Sequence, residues 1–303
     1  MTKMVKYSCE RCGKEFSQKS HYDSHSKRKT PCANNADNIE LLVNKVVDEK
    51  IKEKIKELNN KNLIITNEKK VNTEDIKITE FKLQKPFLKW VGGKTQIINS
   101  IISKIPKEMN NYHELFLGGG SVLLAVLSLQ KHNKIIIKNK IYAYDINNDL
   151  INVYKNIQNN KEELYRIINL YIKEYDNIKG SSIINRNPQS IEEAKTSKES
   201  YYYWIRNKYN NIDKNSIECS ALFMFINKTC FRGMYREGPN GYNVPYGHYK
   251  KTPTIITEAE LNYISDLIKD VEFKNCNFTE SIKNVKDGDF VYLDPPYAPE
   301  NSK

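Results

Sequence analysis

The segment Asp294-Pro295-Pro296-Tyr297 combines a carboxylate, a rigid backbone and an aromatic ring. It follows the apolar run Phe290–Leu293, which is typical of a buried strand that ends where the prolines begin. Residues just past such a strand face a ligand crevice. Asp294 and a backbone carbonyl would accept hydrogen bonds from an amino group, and Tyr297 would stack on a flat ring. The segment therefore indicates a site for a nucleobase with an exocyclic amine, and its alternative is an ordinary strand-to-turn junction.

A second chemical signal is the turn Gly118-Gly119-Gly120, which follows the predicted strand Tyr112–Leu117 and precedes a predicted helix. Glycines let a bulky ligand approach the backbone, and a helix N-terminus favours an anionic group such as a carboxylate. The fingerprint for a nicotinamide or flavin cofactor would need glycine where Leu123 stands. A phosphate-binding loop that ends at Gly93-Lys94-Thr95 would need glycine in place of Leu88. Both of these nucleotide motifs are therefore disfavoured.

Asp145 comes directly after a further predicted strand, Ile135–Tyr144. An acidic residue at this position would bind the two hydroxyl groups of a ribose. Its alternative role is the N-cap of a helix over residues 147–154. The glycine turn and Asp294 favour the first role, because all three features would then serve one ligand.

Composition narrows the class of protein. The 303 residues carry a formal net charge of +11, which favours a polyanionic partner such as nucleic acid. No stretch of eighteen apolar residues and no signal-peptide pattern occurs, so we expect a soluble, intracellular protein without a membrane partner. Three of the six cysteines crowd the N-terminus, which fits a local metal site better than a disulfide framework.

Periodicity and composition divide the chain into five predicted segments. A Cys/His-rich unit occupies residues 1–32, and a charged linker with one amphipathic helix occupies 33–84. Apolar runs alternate with helical patterns over 85–159, as in βαβ units. The Tyr-rich stretch 160–275 has helical periodicity and looks inserted into that domain, to which residues 276–303 return. We therefore predict an α/β fold with an inserted helical domain, preceded by a small ββα unit.

The N-terminal unit has the ligand and core spacing of a ββα zinc finger in which a cysteine replaces the last histidine. Two thiolates from a knuckle and two ligands from a helix would bind structural Zn²⁺ in a closed tetrahedral site, through Cys9, Cys12, His25 and Cys32. Phe16 and Tyr22 would supply the small core that such a unit needs. His21 is a rival ligand, but its use would leave Cys32 without a role. The sequence does not decide whether the finger would contact DNA or a protein.

Over residues 85–303 the chain resembles the Dam-type (D12 class) DNA adenine methyltransferases, because five separated motifs occur in the family's order. The motifs are Phe87–Lys94, Phe116–Gly120, Asp145, Asn227–Tyr249 and Asp294–Tyr297. The resemblance implies a Rossmann-like sheet that binds S-adenosylmethionine and an inserted target-recognition domain. Positions of the family that contact the cofactor match Trp90, Lys94, Asp145 and Asp294. The glycine turn adds Phe116, Gly118 and Gly120 to the predicted cofactor site.

The resemblance also implies the reaction, which is methyl transfer to the exocyclic amine of adenine in duplex DNA. That amine is a poor nucleophile, because its lone pair is delocalised into the ring. Hydrogen bonds to Asp294 and to the carbonyl of Pro295 would let the nitrogen pyramidalise, so no strong base is required. The adenine would flip out of the duplex and stack on Tyr297. A cytosine amine could use the same site, but the cytosine enzymes that resemble this chain usually carry Ser before the two prolines.

The segment Asn227–Arg236 resembles the family's target-recognition hairpin. In that comparison Phe231 fits the wedge that fills the gap left by a flipped base, and Arg236 fits the reader of a guanine edge. Arg232 departs from an Asn that is common in GATC-methylating members, which leaves the recognition sequence open. Lys89 matches another base-contacting position. A solvated loop whose rings face the core is the alternative interpretation.

Members of the family continue well past the Asp-Pro-Pro-Tyr motif, so the resemblance predicts that this chain lacks the family's C-terminal part. The sheet edge beside Phe290–Leu293 would then be unpaired. A second function therefore stays open, that of a catalytically inactive DNA-binding protein that retains the finger and the recognition loop. Transfer to RNA or to protein amides is a third possibility, which the hairpin resemblance disfavours. The heavy use of Asn, Lys, Ile and Tyr is typical of an A/T-rich genome, and together with the single finger it suggests a gene of a large DNA virus. We also expect that the protein belongs to a restriction-modification system.

Overall fold

The computed structural model of the chain describes residues 7–9, 15–27, 81–180, 183–249 and 251–296. They fall into two units, one that contains the described residues up to 27 and one that contains those from 81 to 295. No helix of these residues is long and apolar enough to cross a membrane.

The described residues of the smaller unit form two short strands and one helix, which follow one another in ββα order. Strands β1 (Tyr7–Ser8) and β2 (Glu15–Phe16) pair in antiparallel fashion, and helix α1 (Lys19–Ser26) follows. The Phe16 ring lies 6.1 Å from Tyr22 and 4.9 Å from His25, measured between ring centroids. This order and this small aromatic core agree with the sequence pattern.

The larger unit alternates strands and helices along the chain. Its strands are β3 (Glu108–Met109), β4 (Tyr112–Glu114), β5 (Ile136–Ile137), β6 (Ile141–Asp145), β7 (Glu237–Gly238), β8 (Gly241–Tyr242), β9 (Val271–Asn275) and β10 (Phe290–Tyr292). Its helices are α2 (Ile98–Ile102), α3 (Ser121–Lys131), α4 (Asn148–Asn159), α5 (Lys161–Asp176), α6 (Ile191–Ala194), α7 (Lys198–Asn211), α8 (Ile217–Thr229), α9 (Glu258–Ile268) and α10 (Phe278–Ser281). Two 3₁₀ turns lie at Phe231–Gly233 and Ile282–Asn284.

Four of these strands form a parallel sheet in the order β10-β4-β6-β9. The chain runs outward from β4 to β6 and β9, and it then returns to place β10 on the other side of β4. The direction of winding therefore reverses between β4 and β10, and a crevice beyond the carboxyl ends of two such strands is the usual ligand site of an open α/β sheet. The prediction of an α/β fold with a parallel sheet is confirmed.

Two predicted strands are present but shorter than predicted. The strand expected at Tyr112–Leu117 ends at Glu114, and that expected at Phe290–Leu293 ends at Tyr292. Single hydrogen bonds continue the first strand towards the glycine turn, since Leu117 N donates to Tyr144 O at 2.8 Å. Within the described part of the chain, the outer edge of β10 pairs with no other strand.

The prediction of one continuous strand over Ile135–Tyr144 is wrong, because this stretch contains two strands with different partners. Ile136–Ile137 pairs with β3 in a separate two-stranded sheet, whereas Ile141–Asp145 pairs with β4 and β9. Asn139 N still donates to Asn110 O at 2.9 Å, and Lys140 O then accepts from Tyr112 N at 3.0 Å. A continuous apolar run could not reveal this change of partner, since it depends on residues thirty positions earlier in the chain.

The core joins the parallel sheet to the helices that pack against it. Residues 121–129 of α3 are all buried, and the Tyr154 ring of α4 stacks on Phe273 of β9 with 5.0 Å between centroids. Burial of such side chains contributes about 1.5–3 kcal/mol each. The carboxyl ends of the strands, where the candidate site lies, are thus supported by a well-packed core.

Between β6 and β9 the chain forms helices α4 to α9 and the short hairpin β7–β8. The core of this helical part is rich in tyrosine: the Tyr175 ring lies 5.3 Å from Phe225, and the Tyr201 hydroxyl donates to Glu174 at 2.6 Å. Ser197 and Ser216 cap helices α7 and α8 through their hydroxyl groups. This packing fixes the C-terminal end of α8, where the predicted recognition residues begin.

Candidate active site

Three acidic residues from distant parts of the chain meet at the carboxyl ends of the parallel strands. Glu114 ends β4, Asp145 ends β6, and Asp294 lies two residues after β10. Burial raises the pKa of Glu114, and the negative charges of Asp294 and Asp145 raise it further. The parallel register of the sheet is what brings them to one edge.

Asp145 is bound to the glycine turn and to the start of the next helix. Its Oδ2 accepts from Gly118 N at 2.9 Å, and its Oδ1 accepts from Asn147 N at 2.9 Å. Burial raises the pKa of Asp145, and the backbone amides that it accepts from oppose that shift. The alternative role as an N-cap is wrong, because Asn147 caps α4 by accepting from Leu150 N.

The glycine turn packs against the indole ring of Trp90. Gly118 and Gly120 have positive φ angles of +50° and +68°, which favour glycine. A Cβ atom on Gly118 or on Gly119 would lie 2.9 Å from the Trp90 side chain. The Phe116 ring precedes the turn and lies 5.7 Å from Phe278. The structure thus brings together Trp90, the glycine turn and Asp145, whereas the contact shown for the Phe116 ring is with Phe278.

Lys94 and Asp294 form a largely buried ion pair. Lys94 Nζ lies 2.6 Å from Asp294 Oδ2 and donates to Gly92 O at 2.8 Å. The Lys94 residue is only 9% exposed, and its backbone N donates to Ser121 Oγ at 3.1 Å. Asp294 itself is followed by the exposed Pro295 and Pro296, and Tyr297 lies outside the described residues.

Glu114 is a functional candidate that the sequence motifs did not reveal. It is 1% exposed, and its Oε2 accepts from the Tyr112 hydroxyl at 2.7 Å. Burial raises the pKa of Glu114 to about 8, although the hydrogen bonds from Tyr112 and from the Leu123 amide oppose the shift. Glu114 is therefore mostly protonated at neutral pH. An acid inside the predicted strand just before the glycine turn was the available signal.

Tyr154 is the second residue that sequence reasoning missed. Its hydroxyl lies against Gly120, where a Cβ atom would collide with it. Within the described part of the chain it is the one buried side-chain polar atom without a hydrogen-bond partner. Burial raises its pKa well above the usual range. It ends the predicted helix over residues 147–154, and no sequence motif singled it out.

Lys89 is held against the end of α8 by the Asn227 side chain. Asn227 Oδ1 accepts from Lys89 N at 2.9 Å, and Asn227 Nδ2 donates to Lys89 O at 2.7 Å. Lys89 Nζ then donates to the Tyr249 hydroxyl at 3.0 Å. Asn227 is 3% exposed, so this brace is shielded from water. These hydrogen bonds thereby connect the motif Phe87–Lys94 to the motif Asn227–Tyr249.

The remaining predicted recognition residues follow in the 3₁₀ turn and the strand after it. Phe231 is 41% exposed, and the Arg232 guanidinium lies 5.1 Å from its ring centroid. Arg232 has a positive φ of +56°. Arg236 Nε donates to Asn243 Oδ1 at 2.6 Å. The segment thus runs from the end of α8 through a 3₁₀ turn into an antiparallel arm, in which Cys230 bridges Tyr246 and Arg236 O accepts from Asn243 N at 3.1 Å. This arm continues into the paired strands of Glu237–Tyr242.

Two of the four predicted zinc ligands can be located. Cys9 and His25 are both buried in the smaller unit, with 3% and 7% exposure, whereas Cys12 and Cys32 lie outside the described residues. Among the residues that are described, no group of three or more His, Cys, Asp or Glu side chains could hold a metal ion. The described part of the chain therefore gives no support for a metal centre, and the zinc site stays a prediction.

The residues that form this site lie in a part of the chain that is similar to known proteins. Residues 90–303 match the model of a family described as D12 class N6 adenine-specific DNA methyltransferase. The chain is 38% identical over 229 residues to the type II methyltransferase M.MjaIII of Methanocaldococcus jannaschii, which covers 72% of this chain and 70% of that protein.

Two further relatives agree with this match. The chain is 31% identical over 221 residues to the type II methyltransferase M1.LlaDCHI of Lactococcus lactis subsp. cremoris, with 71% of this chain and 66% of that protein covered. It is 29% identical over 219 residues to the DNA adenine methylase of Escherichia coli K12, with 72% and 66% covered. The matched region thus spans 66–70% of the length of these three relatives.

Proposed function

The chain belongs to the D12 class of N6 adenine-specific DNA methyltransferases, and we propose that it methylates the exocyclic amine of adenine in duplex DNA with S-adenosylmethionine as donor. The observation that carries this proposal is that the glycine turn, Asp145 and Asp294 follow the carboxyl ends of the three neighbouring strands β4, β6 and β10, beside the switch point between β4 and β10. A cofactor and a base could both reach that edge, because the strands end there and the crevice opens there.

The residues at this edge fit the proposed cofactor. Asp145 accepts one backbone hydrogen bond on each oxygen, and each oxygen keeps a lone pair for the hydroxyl groups of a ribose. Helix α3 begins at the glycine turn without a side-chain cap, which suits a carboxylate. Trp90 would supply an apolar wall beside the turn. When bound, S-adenosylmethionine supplies an electrophilic methyl group on a sulfonium.

The chain's own contribution to the transfer would be to orient and activate the amine. Asp294 and the Pro295 carbonyl would accept its two protons in hydrogen bonds, which favours a pyramidal nitrogen with an available lone pair. Pro295 and Pro296 fix φ and so limit the freedom of this segment, and Tyr297 would stack on the base. Such positioning replaces a strong base, because the nitrogen becomes acidic only as it gains the methyl group.

Target recognition would use the surface at the end of α8. The net charge of +11 favours DNA binding in general. Phe231 is exposed beside Arg232, as a wedge into the duplex requires. Lys89 is fixed by its brace to Asn227, and Arg236 would exchange part of its contact with Asn243 for a base edge.

A transfer assay with matched variants tests the proposal. The full chain is incubated with tritiated S-adenosylmethionine and A/T-rich duplex DNA, alongside Asp294→Ala and the control Asp270→Ala, which removes an exposed acid. We expect label in the DNA for wild type and control, and a loss of about 100-fold or more for Asp294→Ala. DNA binding by the wild type without any label would instead support the inactive DNA-binding protein.

For the smaller unit we propose a structural zinc ion held by Cys9, Cys12, His25 and Cys32. Support comes from the ββα order and from the burial of the two ligands that are described. Elemental analysis of the purified full chain should find one zinc ion per chain, and His25→Ala should lose it. A wild-type chain that contains no zinc after purification and cannot bind it when titrated would contradict this proposal.

A further inference from the structure

We infer that Lys94 is a positioning residue for methyl transfer, which binds one oxygen of the Asp294 carboxylate and leaves the other oxygen to accept the target amine. The inference rests on the proposed function, and it assigns different roles to the two oxygens of Asp294. It also differs from the role of cofactor contact that the family resemblance gives to Lys94.

The Lys94 residue is held both at its backbone and at the end of its side chain. Its backbone N donates to Ser121 Oγ at 3.1 Å, and Ser121 begins the fully buried stretch of α3. At the other end, Nζ donates to Gly92 O at 2.8 Å and lies 2.6 Å from Asp294 Oδ2. With 9% exposure the residue has little room to adopt another conformation. A short charged contact in such a shielded place is a strong restraint.

Asp294 has few other restraints. It lies between Leu293, which is 48% exposed, and the exposed Pro295. Within the described part of the chain its Oδ1 meets no donor, so the ion pair at Oδ2 is what holds the carboxylate group. A carboxylate held by one oxygen presents the other in a defined direction, which is what a hydrogen bond from an amine requires.

Electrostatics explains why an ammonium suits this role. The cofactor proposed here carries a positive sulfonium, and a second buried cation that contacted it directly would be repelled. Pairing with Asp294 removes that conflict, because the positive charge of Lys94 is balanced within the pair. The paired carboxylate also remains an acceptor of hydrogen bonds on Oδ1. It can therefore take the proton that the amine loses once the carbon–sulfur bond has broken and the carbon–nitrogen bond has formed.

The test separates orientation of Asp294 from binding of the cofactor. Lys94→Met removes the charge at similar length, Lys94→Gln is a second neutral variant, and Lys94→Arg keeps the charge. For each full-length variant, calorimetry measures Kd for S-adenosylmethionine, and rapid mixing measures the single-turnover rate on duplex DNA. Equal urea midpoints with wild type identify the neutral variant that retains the fold.

We expect the neutral variants to lower the single-turnover rate about 100-fold while Kd stays within about threefold of wild type. Lys94→Arg should recover part of the rate. Adding Lys94→Met to Asp294→Asn should cause no further loss, because Lys94 acts through Asp294. A neutral variant with a much weaker Kd and a normal rate at saturating cofactor would overturn the inference, as would additive losses. A wild-type chain without transfer would instead overturn the proposed function on which it rests.

Discussion

Glu114 offers a prediction about folding that follows from the geometry beneath the glycine turn. Its carboxyl group is 1% exposed, accepts from the Tyr112 hydroxyl and has a pKa of about 8, against 4.5 for an unperturbed glutamate. The folded chain therefore binds this proton more tightly than the unfolded chain does. The free energy of unfolding should be highest below the unfolded pKa and should fall as pH rises through the folded pKa.

The size of this effect follows from the two pKa values. Between them the stability should fall by about 1.4 kcal/mol for each pH unit. From pH 5 to pH 7 the Glu114 carboxyl should thus cost the folded state about 2 to 3 kcal/mol. Glu114→Gln replaces the acid by a neutral group of the same shape and should remove this part of the pH dependence.

Urea unfolding at pH 5, 6 and 7 checks this prediction, with tryptophan fluorescence as the readout. Glu114→Gln should gain stability relative to wild type as the pH rises, whereas the control Glu258→Gln, at an exposed position in α9, should follow wild type. If wild type and Glu114→Gln instead show parallel pH dependence, the folded chain does not hold the buried carboxyl in its protonated form.

Three other changes probe the site. Gly118→Ala should weaken cofactor binding about tenfold or more, because its Cβ would lie 2.9 Å from the indole ring, whereas Gly180→Ala, also at positive φ but with no atom within 4 Å, should bind normally in the same calorimetric titration. Asn227→Ala should lower the free energy of unfolding in urea by about 2 kcal/mol, since both hydrogen bonds to the Lys89 backbone are lost, and a midpoint equal to wild type would contradict this. Phe231→Ala should cost under about 1 kcal/mol of stability, given the exposed ring, yet should abolish the fluorescence rise of 2-aminopurine at the target base; an unchanged rise would exclude the wedge role.

The parallel α/β fold could be predicted because its signals are local. Apolar runs that end at glycines or prolines marked the strands before Gly118 and Asp294, and strands separated by helical patterns are typical of parallel sheets. The pairing of strands was less accessible. The stretch Ile135–Tyr144 reads as one apolar run, and its division into β5 and β6 depends on which neighbours each half meets.

The residues of the candidate site could be predicted only where they belong to short sequence motifs. Asp145 and the glycine turn lie together as predicted, since both follow strands of the same sheet. Glu114 and Tyr154 escaped notice, because the first lies inside a strand and the second inside an amphipathic helix. Only the fold shows that both lie beneath the glycine turn. The ion pair between Lys94 and Asp294 likewise joins residues two hundred positions apart.

The identity of the methylated nucleoside shows whether adenine is the base that this protein modifies. Duplex DNA is incubated with the full chain and S-adenosylmethionine that carries a trideuterated methyl group, and it is then digested to nucleosides for mass spectrometry. We expect N6-methyl-2′-deoxyadenosine with three deuterium atoms for wild type, and its loss in Asp294→Ala. A deuterated methyl group on cytosine, or on no nucleoside at all, would contradict methyl transfer to adenine by this chain.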